Sequence, residues 1–420
     1  MLYAFKCKKM PNYGDDPDID TFMPLYKNYD SSQLTALSAL LNKNRPIVAV
    51  HGAAGTGKTL LLAQYLDILS KSDESKDMPI AVISPSVSSL YRLIYLYCSI
   101  ACKEILKEIP FICLREFDMA SSYFSIKNQN VLQLVRMASF HKFQRIYDES
   151  TLKILEELKV LSNQSRNHKN SSLIQQMHGL IDEEINKFIK KRRFVFLTFS
   201  FSRLQLLERI GVKFSGVIVD NAERLNEQEN WHVILKTVCF EFIKSPFVRL
   251  FGDYCQYSKK ESNEQSKLDY NKSLLQRLDE DFGVDSNVNF YLNRQYTANP
   301  AIRAWGDSVF YKERKSIPAN KSVEKMNLNE ILKPNIKKNN TLKLVTEPLV
   351  LVDISKLEGE WKEFMFEPEK VASTNVQYNY EGYRNWGMAL ITAQHINLLI
   401  QNGIDPEEIA CPLSMDIHEE

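Results

Sequence analysis

The segment Ile47–Thr59 limits what this chain can fold into more than any other stretch. Ile47-Val48-Ala49-Val50-His51 is a short apolar run that stops at a glycine. Gly52-Ala53-Ala54-Gly55-Thr56-Gly57-Lys58-Thr59 then completes the pattern G-x-x-x-x-G-K-T. A helix-forming run, Leu60–Leu66, follows at once. Strand, glycine-rich loop and helix in that order form the setting in which such a loop cradles a polyphosphate. Gly52, Gly55 and Gly57 let the backbone turn tightly and aim successive N–H groups at the ligand, with Thr56 in the same cradle. Lys58 adds a point charge for the outer phosphates, Thr59 offers a hydroxyl to Mg²⁺, and the helix N-terminus contributes partial positive charge.

The rest of the chain alternates in a way that suits this unit. Asp30-Ser31-Ser32 reads as a helix cap, and Gln33–Leu41 follows with Leu34, Leu37, Leu40 and Leu41 on one face. Beyond the phosphate loop, the strand Ile80–Ile83 ends in Ser84-Pro85-Ser86, and an apolar helix is expected near Ser88–Leu106. Further strands are expected at Phe194–Thr198, Gly216–Asp220, Phe247–Asp253, Asn289–Leu292 and Leu349–Val352. Strands interleaved with helices predict an α/β fold, a parallel sheet covered on both faces. Residues 118–192 break the rhythm with helical periodicity, Leu152, Leu155, Leu158 and Leu161 forming one stripe, and are expected to be a helical insertion or stalk. Its closing run, Lys190-Lys191-Arg192-Arg193, suits a solvated helix end better than a phosphate contact or nuclear signal. The organisation expected is a poorly ordered lead-in over 1–28, a first domain from 29–117 and 193–290, the insertion between them, and a second, partial domain over 291–420. Lys259–Lys272 and Lys333–Lys343 are expected to be exposed loops.

Composition narrows the classes. A chain of 420 residues with a 44% hydrophobic fraction can build two or three packed domains. Its formal net charge of +1 excludes a global basic field, so nucleic-acid binding would need a local groove. The seven cysteines include no C-x-x-C pair, which is the pattern of reduced, intracellular chains. There is no apolar signal core and no run of transmembrane length. A cytoplasmic or nuclear protein with no membrane partner is expected.

Two strand ends bear on the loop's chemistry. Val217-Ile218-Val219-Asp220 is an apolar strand ending in a carboxylate, which can reach the Mg²⁺ shell held by Thr59. Gly252-Asp253-Tyr254-Cys255-Gln256 ends another strand. Gln256 has both a donor and an acceptor for sensing the γ-phosphate or orienting a water, and a solvated turn is the equally weighted alternative.

Taken together and in order, these segments resemble superfamily 1 helicases of the nonsense-mediated-decay type. The resemblance runs from about Asp30 to the C-terminus, apart from the insertion. It implies two RecA-like domains that bind ATP and Mg²⁺ and move along single-stranded RNA or DNA. On that resemblance, Ser31–Ala36 is the segment whose Gln33 reads the adenine edge, and Ser84-Pro85-Ser86 and Thr198 lie near the bound strand. Asp220-Asn221-Ala222-Glu223 occupies the acidic motif, making Lys58, Asp220 and Gln256 the catalytic set. Leu292–Ile302 contains Tyr296, which stacks on the base.

The chain also departs from that pattern. The family has glutamate where this sequence has Asn221, and an amide cannot accept a proton from water at neutral pH. Loss of a general base typically costs about 10²- to 10⁴-fold. If the segment stayed extended, Glu223 would point the same way as Asn221 but displaced by almost two residue rises, too far to substitute. Thr297 stands where the family has an arginine finger, a group worth roughly 10³- to 10⁵-fold, and Arg294 precedes the tyrosine instead. Asn379-Tyr380-Glu381 and the expected strand Glu407–Pro412 resemble the opening of the second domain, and the family's last two motifs have no counterpart. A fragment or a decayed paralogue is therefore expected. Two functions remain open: an ATP-driven translocase, and a hydrolysis-deficient module that binds ATP together with nucleic acid or a protein. A third, an unrelated P-loop ATPase, leaves the Gln33 and Gln295-Tyr296 matches unexplained.

Overall fold

The computed structural model describes residues 13–18, 29–72, 78–101, 111–113, 186, 189–190, 192–199, 204, 207–208, 211–238, 246–256, 272–284, 287–311, 314–325, 367–370, 381–384 and 386–411. The described residues up to Tyr296, together with Phe310–Ala319, form one compact unit. Thr297–Val309 and the described residues from Asn320 onward form another. The sequence boundary near 290 thus becomes three crossings, after Tyr296, Val309 and Ala319, with the ten-residue segment Phe310–Ala319 returned to the first unit.

The first unit is built on a seven-stranded sheet in the order β3-β4-β2-β5-β6-β1-β7. The strands are β1 (Ile47–Gly52), β2 (Ile80–Ser84), β3 (Phe111–Cys113), β4 (Phe194–Thr198), β5 (Gly216–Asp220), β6 (Phe247–Gly252) and β7 (Asn289–Leu292). Every adjacent pair runs parallel. A parallel sheet is buried on both sides, which is why these strands read as unbroken apolar runs. Side chains alternate between two cores. Val48 and Val50 of β1 face one with Val82, Phe196 and Phe251, while Ile47 and Ala49 face the other with Ile83, Val217 and Leu250.

Three helices close the first face: α1 (Ser31–Leu41), α2 (Lys58–Lys71) and α3 (Val87–Ile100). Leu61, Leu62 and Leu66 of α2 are fully buried there, each contributing about 1.5–3 kcal/mol through removal from water. Two further helices, α4 (Glu227–Thr237) and α5 (Leu274–Phe282), supply Val233, Ile234, Leu274, Leu275 and Leu278 to the other face. Arg249 of β6 is buried and spends its guanidinium on backbone carbonyls, among them Leu40 O at 3.2 Å and Asn42 O at 3.3 Å, where α1 ends. It thereby ties the centre of the sheet to the end of α1, whose last carbonyls need donors.

Part of the expected lead-in is docked. Asp16 pairs with Arg45 at 2.6 Å and also accepts from Asn42, so low order does not extend to Tyr13–Asp18. The insertion 118–192 lies largely outside the described residues, as do nearly all of Lys259–Lys272 and the whole of Lys333–Lys343 and Leu349–Val352. At the insertion's end Arg193 is partly buried and donates to Leu69 O, near the C-terminus of α2, at 3.2 Å. It caps a neighbouring helix rather than standing in solvent.

A two-stranded parallel ladder, β8 (Arg294–Gln295) with β9 (Ile317–Pro318), completes the first unit. The second unit contains α6 (Pro300–Val309), α7 (Lys321–Lys325), the antiparallel pair β10 (Glu367–Lys370) and β11 (Glu381–Arg384), and α8 (Trp386–Gln401). Of the expected Asn379–Glu381 segment, only Glu381 is described, at the start of β11. The expected strand at Glu407–Pro412 is absent among the described residues. Asp405 caps a short 3₁₀ turn over Pro406–Glu408, since proline suits the first helical position and removes a ladder donor. No helix among the described residues is long and apolar enough to cross a membrane.

Candidate functional site

The C-terminal ends of β1, β6 and β5 lie side by side, and the loops leaving them form one rim. The phosphate loop leaves β1 and closes on α2. Gly55 and Gly57 have φ of 80° and 90°, left-handed values open to glycine at no steric cost. A Cβ at Gly57 would lie 2.6 Å from Gln33 Nε2, so this glycine also admits a neighbour. Gly57 caps α2 without any side-chain bond, which leaves the first-turn N–H groups of a fourteen-residue helix directed at the loop. Thr56 is buried, its hydroxyl donating to Ala53 O at 2.8 Å. Lys58 Nζ donates to Gly52 O at 2.5 Å and Ala53 O at 3.1 Å.

One flank of the loop is a neutral hydrogen-bonded grip. Asp30 caps α1 and accepts from the Gln33 N–H at 3.1 Å, and Gln33 Oε1 accepts from the Asp30 N–H at 3.2 Å. This capping box alone would account for a glutamine here. Gln33 Nε2, however, donates to Thr56 O at 3.1 Å, so the same side chain reaches the loop. Tyr296 closes the grip. Its N–H donates to Gly55 O at 3.0 Å and its hydroxyl to Asp30 Oδ2 at 2.7 Å, while Gln295 Nε2 donates to Ala54 O at 2.5 Å. Burial and the adjacent Asp30 carboxylate push the Tyr296 hydroxyl pKa upward, so it remains a donor.

The opposite flank is charged. Lys58 faces Asp253, Glu223 and Asp220, and burial lowers its pKa against the pull of those three carboxylates. Asp220, at the tip of β5, is buried and has its pKa raised to about 6 by desolvation, with Lys58 and the Asn221 N–H opposing. Asp253 is buried as well and is shifted upward by the same cause. Its Oδ2 accepts from the Tyr311 hydroxyl at 2.5 Å. Gln256 is exposed on the 3₁₀ turn Tyr254–Gln256, and its side chain bonds to the Asp253 carboxylate.

Glu223 is the residue that sequence reasoning set aside. Asn221 has φ 51° and ψ 48°, and Ala222–Arg224 form a 3₁₀ turn, so the extended backbone assumed in dismissing Glu223 does not exist. The curl brings the Glu223 carboxylate to the tip of β6, where Oε2 accepts from the Asp253 N–H at 3.2 Å. Desolvation raises its pKa to about 7. An asparagine directly after a strand was the available signal, because Asn is among the few residues that adopt left-handed backbone readily.

A cavity of about 450 Å³ adjoins the charged flank, lined among others by His51, Asp253, Tyr291, Tyr311 and Arg314. Asp279 anchors its wall, accepting from Tyr291, from Tyr254 at 2.5 Å and from Arg314 at 2.7 Å. His51 stacks on Tyr291 with ring centroids 4.9 Å apart, and burial lowers its pKa to about 4.

The remaining candidates lie along the rim at β2 and β4. Ser84 and Thr198 are register partners and both buried, so their side chains turn inward. Ser86 is partly exposed, but its hydroxyl caps α3 by accepting from the Ser89 N–H at 3.2 Å. Pro85 is partly exposed beside it. The structure therefore gathers Gln33, Gly52, Gly55–Thr59, Asp220, Gln256 and Tyr296 around one loop, and leaves Ser84 and Thr198 facing the core.

The residues present suit a magnesium nucleotide. The first-turn N–H groups of α2 point at the loop uncapped by a side chain, beside Lys58 and the buried carboxylates of Asp220, Glu223 and Asp253. Thr59 and Asp220 are the donors of the type Mg²⁺ takes. Among the described residues no cluster of three His, Cys, Asp or Glu side chains forms a metal site of its own.

No protein-family profile matches the chain, and no curated protein matches it. Among solved structures, one of a nuclease-deletion mutant of the Type ISP restriction-modification enzyme LlaGI, in complex with a DNA substrate mimic, is similar at 14% identity and a TM-score of 0.31. The match covers 61% of this chain and 21% of that one. The chain thus spans about a fifth of that protein's length, and a likeness so slight bears on neither fold nor function.

Proposed function

We propose that this chain binds ATP with Mg²⁺ at the Gly52–Thr59 loop and acts as a superfamily 1 helicase-like protein on single-stranded RNA or DNA. The parallel sheet serves as a RecA-like ATP-binding domain, and Thr297–Val309 with the residues from Asn320 onward belong to a partial second one. The observation that carries this reading is the setting of Lys58, hydrogen-bonded to the loop at Gly52 and Ala53 and faced by Asp220, Glu223 and Asp253. In this reading Lys58 and the loop N–H groups hold the outer phosphates, and Thr59 and Asp220 hold Mg²⁺. When bound, the ion neutralises charge on the phosphate oxygens. Gln33 and Tyr296 meet the base, and Gln256, beside Asp253, senses the terminal phosphate. Pro85 and Ser86 are the rim positions open to a nucleic-acid strand, with Ser84 and Thr198 holding the strand ends behind them.

A second reading is favoured by Asn221 and Thr297, which replace the residues that drive turnover in the resembled family. It describes a module that binds ATP and nucleic acid or a protein without hydrolysis. An ATPase assay with and without single-stranded RNA or DNA separates the two. Turnover that the strand stimulates and Lys58→Ala abolishes supports the translocase, and nucleotide binding without turnover supports the module. Failure to bind any adenine nucleotide contradicts both.

A further inference from the structure

The resembled family needs a carboxylate to activate water, and this chain has Asn221 at that position. We infer that Glu223 is the group that holds the attacking water and accepts its proton. This rests on the nucleotide reading above and replaces the expectation that the missing glutamate leaves the site inert.

Three observations carry it. The first is backbone direction. Asn221 is the only non-glycine residue with positive φ among the described residues, and it turns the chain so that Glu223 follows in a 3₁₀ turn instead of an extended strand. The second is the seat of the carboxylate. Its Oε2 accepts from the Asp253 N–H at 3.2 Å, and a second bond comes from the Glu223 N–H itself. A Cβ at Gly252 would lie 2.2 Å from Oε2, so the carboxylate packs directly against the glycine at the end of β6. The third is what it faces. Lys58, the ligand for the outer phosphates, is flanked by Asp253, Glu223 and Asp220 together. Asp220 sits at the strand tip and has the metal role; Asp253 is committed to the Tyr311 hydroxyl and the Cys255 N–H. Glu223 is bonded only through N–H groups in these contacts, and an ionised carboxylate has roughly four acceptor sites, which leaves room for a water.

The water oxygen bonds to the γ-phosphorus, and the bond from that phosphorus to the β–γ bridging oxygen breaks, its electron pair leaving on the diphosphate. The water proton passes to the Glu223 carboxylate and then to the phosphate product or solvent.

The test uses the full chain and two separate readouts: ATP hydrolysis, and binding of a fluorescent, non-hydrolysable ATP analogue with Mg²⁺. Glu223→Gln keeps an acceptor for the Asp253 N–H while removing the base. It is expected to bind the analogue like the parent and to lose about 10²- to 10⁴-fold in turnover, with the acidic limb of the pH–rate profile disappearing. Glu223→Asp is expected to restore part of the rate. Unchanged turnover in Glu223→Gln overturns the inference. So does loss of analogue binding in that variant, which makes Glu223 a structural brace. A parent chain that binds the analogue but hydrolyses no faster than Lys58→Ala overturns it too, leaving the nucleotide reading standing. Absence of analogue binding by the parent chain overturns the nucleotide reading itself.

Discussion

The two flanks of the phosphate loop use opposite physics. On the side of α1, Gln33, Gln295 and Tyr296 hold loop carbonyls and the Asp30 cap through closed hydrogen bonds. On the side of β5 and β6, Lys58 and three carboxylates share a desolvated pocket whose charges are not matched one to one. The first flank is closed by its own hydrogen bonds. The second is held by a fold that opposes its ionisation, a condition typical of groups arranged for chemistry. Stability should therefore reside in the first flank and titration in the second.

That comparison can be broken in several ways, and the largest expected effect concerns pH. His51, at the tip of β1 beside the charged flank, has its pKa lowered to about 4 from 6.5 because burial disfavours the imidazolium. The unfolded chain binds the proton first. Stability from neutral His51 is therefore fully present above pH 6.5 and is lost as pH falls toward 4, by about 3 kcal/mol. Denaturant unfolding of the parent and of His51→Gln across that window should differ in slope by this amount. In both, the difference is superimposed on the opposite slope from Asp220 and Glu223, whose raised pKa values add stability as pH falls. An identical slope in both would remove His51 from the account.

Next comes Gly57→Ala on the neutral flank. A φ of 90° and a Cβ 2.6 Å from Gln33 Nε2 should lower stability by about 2 kcal/mol, read as a fall in melting temperature. Tyr296→Phe removes one bond to the Asp30 carboxylate at a partly exposed position. About 1 kcal/mol is expected, with little change between pH 6 and 8. The smallest effect belongs to the turn after β5. Asn221→Gly should stay within about 0.5 kcal/mol of the parent, because glycine accepts the left-handed backbone and gives back some chain entropy. A large loss there would mean that the Asn221 side chain, and not its backbone, builds the turn.

Much of the neutral flank was legible beforehand. Strands β1, β2 and β4 to β7 announced themselves as apolar runs because a doubly covered sheet requires them, and the phosphate loop followed from its glycines and lysine. Gln33 was found through the resemblance of Ser31–Ala36 to the helicase segment that reads adenine, and the Asp30 cap puts it at the start of α1. What escaped depended on neighbours instead of pattern. Strand β3 is three residues long and joins the sheet only through β4. Helices α4 and α5 are rich in charged residues and were hidden among polar spans, though each buries an apolar edge. Ser84 and Thr198 look like exposed strand ends in sequence, yet they pair within a sheet covered on both faces and are buried. Glu223 was misplaced because period-two reasoning holds only while a strand continues, and one left-handed residue ends it.

The account stands on a triphosphate sitting where Lys58 joins the two flanks. Calorimetric titration of a non-hydrolysable ATP analogue with Mg²⁺ into the full chain and into Lys58→Ala tests this directly. Saturable binding by the parent, weakened roughly 100-fold by the substitution, is the predicted result. No binding by the parent, or equal affinity in both, would contradict it.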